Sequence, residues 1–425
     1  MGLMVKCLHL KLETILCGST VSKHHRMIVD IENDVIVDSN GRIQPRRYDG
    51  PKAYRSLGIF TMARDLFLPV GYPLSVTPDY LQFQIYDSIQ GLSSYIRGML
   101  SNQSVLLGLG FSRENSSLFS ASVSIAAKEA VSTASSLLIC SKSSSFDSHS
   151  KQWRLAADIC NDLALSLQIL SSFSQSNETF LGLFMLGAMC QAVTGVAGSS
   201  TRMALTQHFA LHQNAANVSA CESAQEIAIT LIGLVFGLLL TKLSESFHTA
   251  ALVCFIFLTY VHVHANIRAM RCLRITRLND HRLSCLFHAW VQDKEVLGPE
   301  KVAQMEPLFL GIFNKPVEVV IAPNLNRVEK NVVKSLVKTF RDPNKKFYII
   351  PSEKKAKRVY VFLTDACKSG QDLIEAYVGA LCEVKYIGMR EKIAAFMQEL
   401  EESEWITDSV LLNQGSSRLS ARKTE

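Results

Sequence analysis

The sequence predicts a mainly α-helical chain: a multi-helix, multi-pass membrane domain followed by a small α+β soluble domain. Three observations carry that fold class. Three apolar segments, Phe180 to Gly198, Ile227 to Thr241 and Thr249 to Ala265, stand close together with one dense polar stretch, Ser199 to Glu226, between the first two. Charged residues are 19% of the chain and mean hydropathy is +0.15, against roughly 25% charged in ordinary soluble proteins. Segments with strand period alternate with helical ones only beyond position 316.

A chain of 425 residues suits about two or three domains. With 44 Lys and Arg against 38 Asp and Glu, the formal charge of +6 is small and dispersed. No finger, basic-region or aromatic-platform signature accompanies it, so no nucleic-acid partner is expected. The 11 cysteines form no CxxC pair, and Cys160, Cys190, Cys254 and Cys272 sit in apolar surroundings. They predict inert thiols in a reducing compartment, not a disulfide framework or a thiolate metal centre. No metal and no cofactor is expected. Lys6, Lys11 and Glu13 interrupt the N-terminal apolar run, which argues against a secretory signal, while a weakly basic amphipathic start up to Arg26 leaves organelle targeting open.

Residues 1–53 read as a variable arm, with MIVDIENDVIVDS alternating as short strands do and GRIQPRRYDG as a turn-rich linker. The helical membrane domain is expected over 54–280. Pro69, Pro73 and Pro78 break its opening, and Thr77 before Pro78 predicts a capped helix over Tyr80 to Ile96. On that helix Asp87, Gln90 and Gly91 share a face. Val123 to Cys140 is a weak helix after a serine-rich thinning. Trp153 to Phe173 is a stronger one, on which Asp158 and Asp162 lie a turn apart beside Asn161. Two carboxylates from one helix are too few for a specific cation site, so a polar edge or an arginine partner is expected.

The first apolar segment is long enough to cross a bilayer, and the third ends in Tyr260, His262 and His264, which suit an interface. The second is short for a span and needs tilt, local thinning or a snorkelling Lys242. Gly233 and Gly237 sit four apart, a spacing that permits close helix approach. Arg268, Arg271, Arg274 and Arg277 at three-residue steps predict a basic helical stripe that meets anionic lipid headgroups. Three spans would put the Ser199 to Glu226 loop on the side of that stripe and KLSESFH on the other. Residues 281–315 read as a linker, 316–403 as the α+β domain, and 404–425 as a disordered tail.

Within the polar stretch, VTGVAGSSTR lacks the lysine and spacing of a phosphate loop. A helix starting at Ser200 or Thr201 would offer free amides to an anion beside Arg202. His208 with His212 and Glu222 with Glu226 have one-turn spacings that suit metal ligands, but a satisfied polar core, with Gln207 and His208 bonded to backbone or to Glu226, outweighs a metal. No nucleophile elbow appears, and no catalytic residue is assigned.

LPVGYPLSVTPDYLQFQIYDSIQGLSSYIRGML, WRLAADICNDLA and AVTGVAGSSTRMALTQHFALHQNAANVSACESAQE resemble, in this order, the root UVB sensitive family. The likeness is strong from about Tyr54 to Asp280 and loose beyond. Its recurring positions map onto Pro78, Asp79, Tyr80, Asp87, Gln90, Gly91, Asp158, Asn161, Asp162, Gly195, Gly198, Thr201, Arg202, Gln207, His208, Asn214, Asn217, Ser219, Gln225 and Glu226. The chain departs from the family between Ala121 and Cys140, where Lys128 and Glu129 only approximate a charged pair, Ala130 replaces a glycine and a tryptophan is missing. The resemblance implies a membrane-associated plant protein, at plastids or another endomembrane. It also implies links to seedling development, ultraviolet-B responses of roots, auxin transport and vitamin B6 homeostasis, with a family paralogue or another membrane protein as partner through the C-terminal domain.

The resulting expectation is a non-enzymatic regulatory or small-molecule-handling membrane protein, with a transporter proper as its stronger form. Its ligand-binding candidates are Asp87, Gln90, Asp158, Asp162, Thr201, Arg202, Gln207, His208 and Glu226. The alternative is an enzyme that gathers Asp87, Asp158, Asp162, His208 and Glu226 around an internal pocket.

Overall fold

The computed structural model describes residues 35–37, 43–45, 61–109, 118–174, 176–308, 317–342 and 344–420. Most of the 1–53 arm, the targeting segment and the last five residues fall outside these. Within the unit Met1–Arg64, β1 (Val35–Val37) and β2 (Ile43–Pro45) pair antiparallel, Ile36 opposite Gln44. Residues 61–64 belong to the same unit, and the described residues from Asp65 on to the unit Asp65–Glu425.

Six long helices open that unit: α1 (Tyr80–Gly108), α2 (Leu118–Cys140), α3 (Ser150–Ser172), α4 (Asn177–Phe209), α5 (Ala215–Ser246) and α6 (His248–Cys272). They run alternately up and down. The Thr77 amide before α1 donates to the Phe209 carbonyl ending α4 at 3.1 Å, and Lys151 at the start of α3 reaches the Leu273 carbonyl just past α6 at 2.7 Å. At the other end Ser101 of α1 meets Gln168 of α3 at 2.7 Å. α1 packs against α3, α5 and α6, while α4 packs between α3 and α2.

Four of the six, over Ala121–Cys140, Asn177–Phe209, Ala215–Ser246 and Thr249–Cys272, are long and apolar enough to cross a membrane. Their outward faces carry Leu137, Val235, Phe236, Leu239, Ile256 and Phe257 uncovered by protein, while Arg97, Asp158, Asp162 and His262 are buried. Apolar outside and charged inside is the arrangement a bilayer selects, because hydrocarbon offers charged groups no partners. The chain is therefore a multi-pass membrane protein. α1 and α3, which carry the buried Arg97, Asp158 and Asp162, are not among the four.

Several expectations change here. The weak helix before Cys140 is a fourth candidate span, in which the Ser136 hydroxyl is satisfied within the helix on the Ser132 carbonyl at 2.9 Å. The short second segment is the middle of the 32-residue α5, so its length is not limiting. The polar stretch is not a loop, because α4 runs on to Phe209 and α5 starts at Ala215. Ser200 and Thr201 thus lie inside α4 and expose no helix N-terminus; Thr201 bonds the Ala197 carbonyl one turn back at 2.7 Å. At the start of α1 the cap position is Asp79, not Thr77, because the Asp79 carbonyl accepts the first helical bond, from the Phe83 amide at 3.0 Å.

The basic stripe also fails to form. α6 ends at Cys272 and Leu273 is extended, so the four arginines share no helix face. Arg271 donates to the carbonyls of Gln304 and Glu306 at 2.6 and 2.8 Å, capping the short α8 (Pro299–Met305). Arg274 pairs with Glu300 at 3.0 Å, leaving Arg268 and Arg277 exposed.

The stretch expected as a linker, 281–315, holds nearly all of α7 (Asp280–Asp293) and α8. Leu283, Leu286, Phe287 and Trp290 of α7 are buried in the main C-terminal core. Around them a three-stranded sheet has the order β3 (Glu318–Ile321), β5 (Arg358–Leu363), β4 (Phe347–Pro351). β3 is parallel and β4 antiparallel to β5. Strand period two sends Val359, Val361 and Leu363 toward α10 (Gly370–Val384) and α11 (Ile393–Glu401), and Tyr360 and Phe362 toward α9 (Lys330–Thr339).

The expected disordered tail is, over 404–420, a strap. Leu411 donates to Leu278 O at 2.8 Å and Leu419 to Leu363 O at 2.8 Å, and Trp405 is buried. Its polar composition hid scattered anchors that pair with backbone. At Gly415 a Cβ would lie 2.1 Å from the Ala322 carbonyl, so only glycine lets the strap come this close.

A buried carboxylate joins the bundle to this region. Glu306 meets Lys151 of α3 at 3.2 Å and Arg282 of α7 at 3.1 Å, with Gln152 at 3.3 Å. Burial alone would raise its pKa, yet the Arg282 and Lys151 charges hold it well below the usual carboxylate range.

The α1–α5 contact is close enough to test. A Cβ on Gly233 would come within 2.9 Å of the Tyr95 ring, whereas one on Gly195 would meet nothing within 4 Å. Gly233→Val should destabilise the detergent-solubilised protein by about 1–3 kcal/mol, and Gly195→Val by much less, read as the shift of the unfolding midpoint.

Candidate functional site

Helical spacing brings Phe83, Gln84, Asp87, Gln90 and Gly91 onto one side of α1, where they wall a cleft of about 310 Å³ between α1, α4 and α5. Arg154 of α3 backs it; Arg202 of α4 with Glu222, Gln225 and Glu226 of α5 complete its polar lining. Arg154 pairs with Asp87 at 2.9 Å. Arg202 and Glu226 form a short pair of 2.5 Å, 37% and 63% exposed, which places them at the mouth. Glu222 lies deeper and accepts from Thr206 at 2.8 Å and Gln84 at 3.1 Å.

From this cleft a chain of polar contacts enters the bundle. Arg154 lies 3.5 Å from Asp158 as well. Gln90 donates to Asp158 at 3.1 Å and lies 2.8 Å from His262 Nε2, and Asn266 donates to the second Asp158 oxygen. The other His262 nitrogen lies 2.9 Å from Asp162. Asp162 pairs with Arg97 at 2.7 Å, and Arg97 also reaches Thr259 at 3.2 Å. Each charge has an opposite charge or a hydrogen-bonding dipole beside it, the condition for burying it at all.

Of the expected binding residues, Asp87, Gln90, Arg202 and Glu226 meet at the cleft, with Asp158 and Asp162 behind it. Thr201 is spent on its own helix, and Gln207 faces outward. His208 lies outside the cleft and bonds Asp79 at 2.9 Å, not Glu226 or backbone. Asp79 also accepts the Arg274 amide at 2.7 Å. The pair fastens the start of α1 to the end of α4 and the exit from α6.

Of the five residues named for the enzyme alternative, Asp87 and Glu226 line the cleft, Asp158 and Asp162 lie behind it, and His208 stands apart. Sequence reasoning missed Arg97, Arg154, His262 and Asn266. Arg154 stands one turn before Asp158, a spacing that could have flagged it. His262 was expected at an interface and is instead fully buried, facing inward, while Tyr260 two residues earlier is 67% exposed.

Apolar helices wrapped around a charged cleft define a multi-pass membrane protein with an internal polar site. The vitamin B6 photo-protection and homoeostasis domain matches residues 54–294, and the C-terminal domain of root UVB sensitive proteins matches 295–387. The chain belongs to the root UVB sensitive family. It is 39% identical over 241 residues to Protein root UVB sensitive 3 of Arabidopsis thaliana, covering 56% of this chain and 54% of that one. It is 30% identical over 270 residues to RUS family member 1 of Dictyostelium discoideum, covering 62% and 51%. With Protein root UVB sensitive 2, chloroplastic, of Arabidopsis thaliana the identity is 25% over 371 residues, 82% and 83% of the two chains. The chain spans about half the length of the first two relatives. No solved structure matches.

Burial would raise the pKa of Asp79, but the His208 hydrogen bond and charge, with the Arg274 amide, outweigh it and bring the pKa down to about 2. A depressed carboxylate stabilises the fold above its unfolded pKa of about 3.9 and loses that contribution only as pH falls through about 2. Asp79→Asn should therefore cost about 1–3 kcal/mol at pH 5, a difference that shrinks as pH falls from about 4 toward 2. Unfolding midpoints of both proteins across that range check it.

Proposed function

We propose that this chain is a membrane-embedded small-molecule-handling protein whose cleft takes a compact aromatic molecule bearing both an anionic group and a protonatable nitrogen. The observation that carries the reading is the mixed charge of the cleft: Arg154 and Arg202 on one hand, Asp87, Glu222 and Glu226 on the other, with Phe83 and Tyr95 among its walls. Guanidinium groups suit phosphate or carboxylate, carboxylates suit a protonated ring nitrogen, and aromatic walls suit ring contact. At about 310 Å³ the cleft is at the small end of ligand pockets, which run from roughly 300 to 1,000 Å³.

The B6 vitamers have this chemistry, and the name of the matching domain, vitamin B6 photo-protection and homoeostasis, supports choosing them first. Binding is favoured over catalysis because the cleft charges are engaged with one another, a state from which a ligand gains by exchanging partners. Roles in plant development or auxin transport, a plastid or other endomembrane location, a paralogue docked on the C-terminal domain, and anionic headgroups at the exposed Arg268 and Arg277 belong to the same proposal.

Purified protein should bind pyridoxal 5′-phosphate in calorimetric titration, and Arg202→Ala should weaken that binding at least about tenfold, the worth of a charge-assisted hydrogen bond. No heat with pyridoxal 5′-phosphate, pyridoxal or pyridoxine would remove this ligand class.

A further inference from the structure

We infer that His149, Asp280 and His281 form a binding site for a transition-metal ion of the zinc class, joining the start of α3 to the start of α7. One ligand atom from each of the three lies within 4.8 Å of the others. His149 Nε2 and Asp280 Oδ1 are 3.5 Å apart, close to the roughly 3.3 Å between neighbouring donors of a tetrahedral zinc whose bonds are ~2.0–2.1 Å. Drawing the set together asks for about an ångström of side-chain movement, within reach of soft terminal torsions.

The surroundings are those of a built site. His149 is 3% and His281 6% exposed, and the buried Nε2 of His281 has no hydrogen-bond partner among the described residues, leaving a lone pair or a proton unused. The backbone on both sides is pinned, since Asn279 beside Asp280 donates to the carbonyl of Ser148, beside His149, at 2.6 Å. Asp280 Oδ1 also takes the His281 amide at 3.0 Å, which fixes how the carboxylate is presented. Two imidazoles and one carboxylate suit zinc and its neighbours, and are too few and too nitrogen-rich for calcium or magnesium. The site is separate from the cleft. Among the described residues three supply ligands, and tetrahedral zinc takes its fourth from water or another donor.

The full-length protein, purified without a histidine tag, stripped with EDTA and reloaded, should retain about one zinc per chain by atomic emission. Its unfolding midpoint should rise with zinc and not with magnesium. Cobalt in place of zinc should give the strong visible bands of a tetrahedral nitrogen–oxygen site. His281→Ala and Asp280→Asn should each lose the ion, while His264→Ala, at an exposed position, should keep it. Zinc absent from the wild-type protein, or retained equally by His281→Ala and Asp280→Asn, overturns the site. Should both variants fail to fold, octahedral or absent cobalt bands in the wild type do the same.

Discussion

Asp162 is the interaction on which the bundle turns. Its carboxylate lies between Arg97 of α1 and His262 of α6 at 2.7 and 2.9 Å. An arginine that is fully buried between helices exposing leucine and phenylalanine to lipid has nowhere else to place its charge. Satisfying it fixes which faces of α1, α3 and α6 meet, and so which side of α1 is left to line the cleft. Asp158 repeats the arrangement one turn away, where Gln90, Asn266 and Arg154 gather around it.

The polar end of the bundle is held by a second set of groups. Asp79 ties α1 to α4 and to the chain leaving α6. Glu306 ties α3 to α7, so the C-terminal region is docked by charge as well as by its apolar core. Both sets lie at the end where the strap of residues 404–420 returns to Thr276 and Leu278. Removing one partner from such a cluster strands the others, which makes it costly to break whatever its net contribution to stability.

The apolar segments and the strand–helix alternation of the tail were legible because each rests on a period that one local stretch carries by itself. Asp87 and Gln90 were legible as a shared face for the same reason. Helix ends inside the polar stretch were not, because threonine and serine serve equally as caps or as back-bonded interior residues, and only the continuous α4 decides between them. The strap was missed because backbone pairing to Ile321 and Leu363 leaves little mark on composition. Arg97 meeting Asp162, and His149 meeting Asp280, join residues far apart in the chain, and no spacing rule reaches that distance.

The inside-out character of the bundle is the central claim, and a spin label at Val235 on α5 in lipid bilayers tests it most directly. The side chain at this position is 58% exposed from the protein. The account predicts strong relaxation by oxygen and weak relaxation by a water-soluble nickel chelate, as for a group in hydrocarbon. Equal or greater access to the nickel chelate would place that face in water and contradict it.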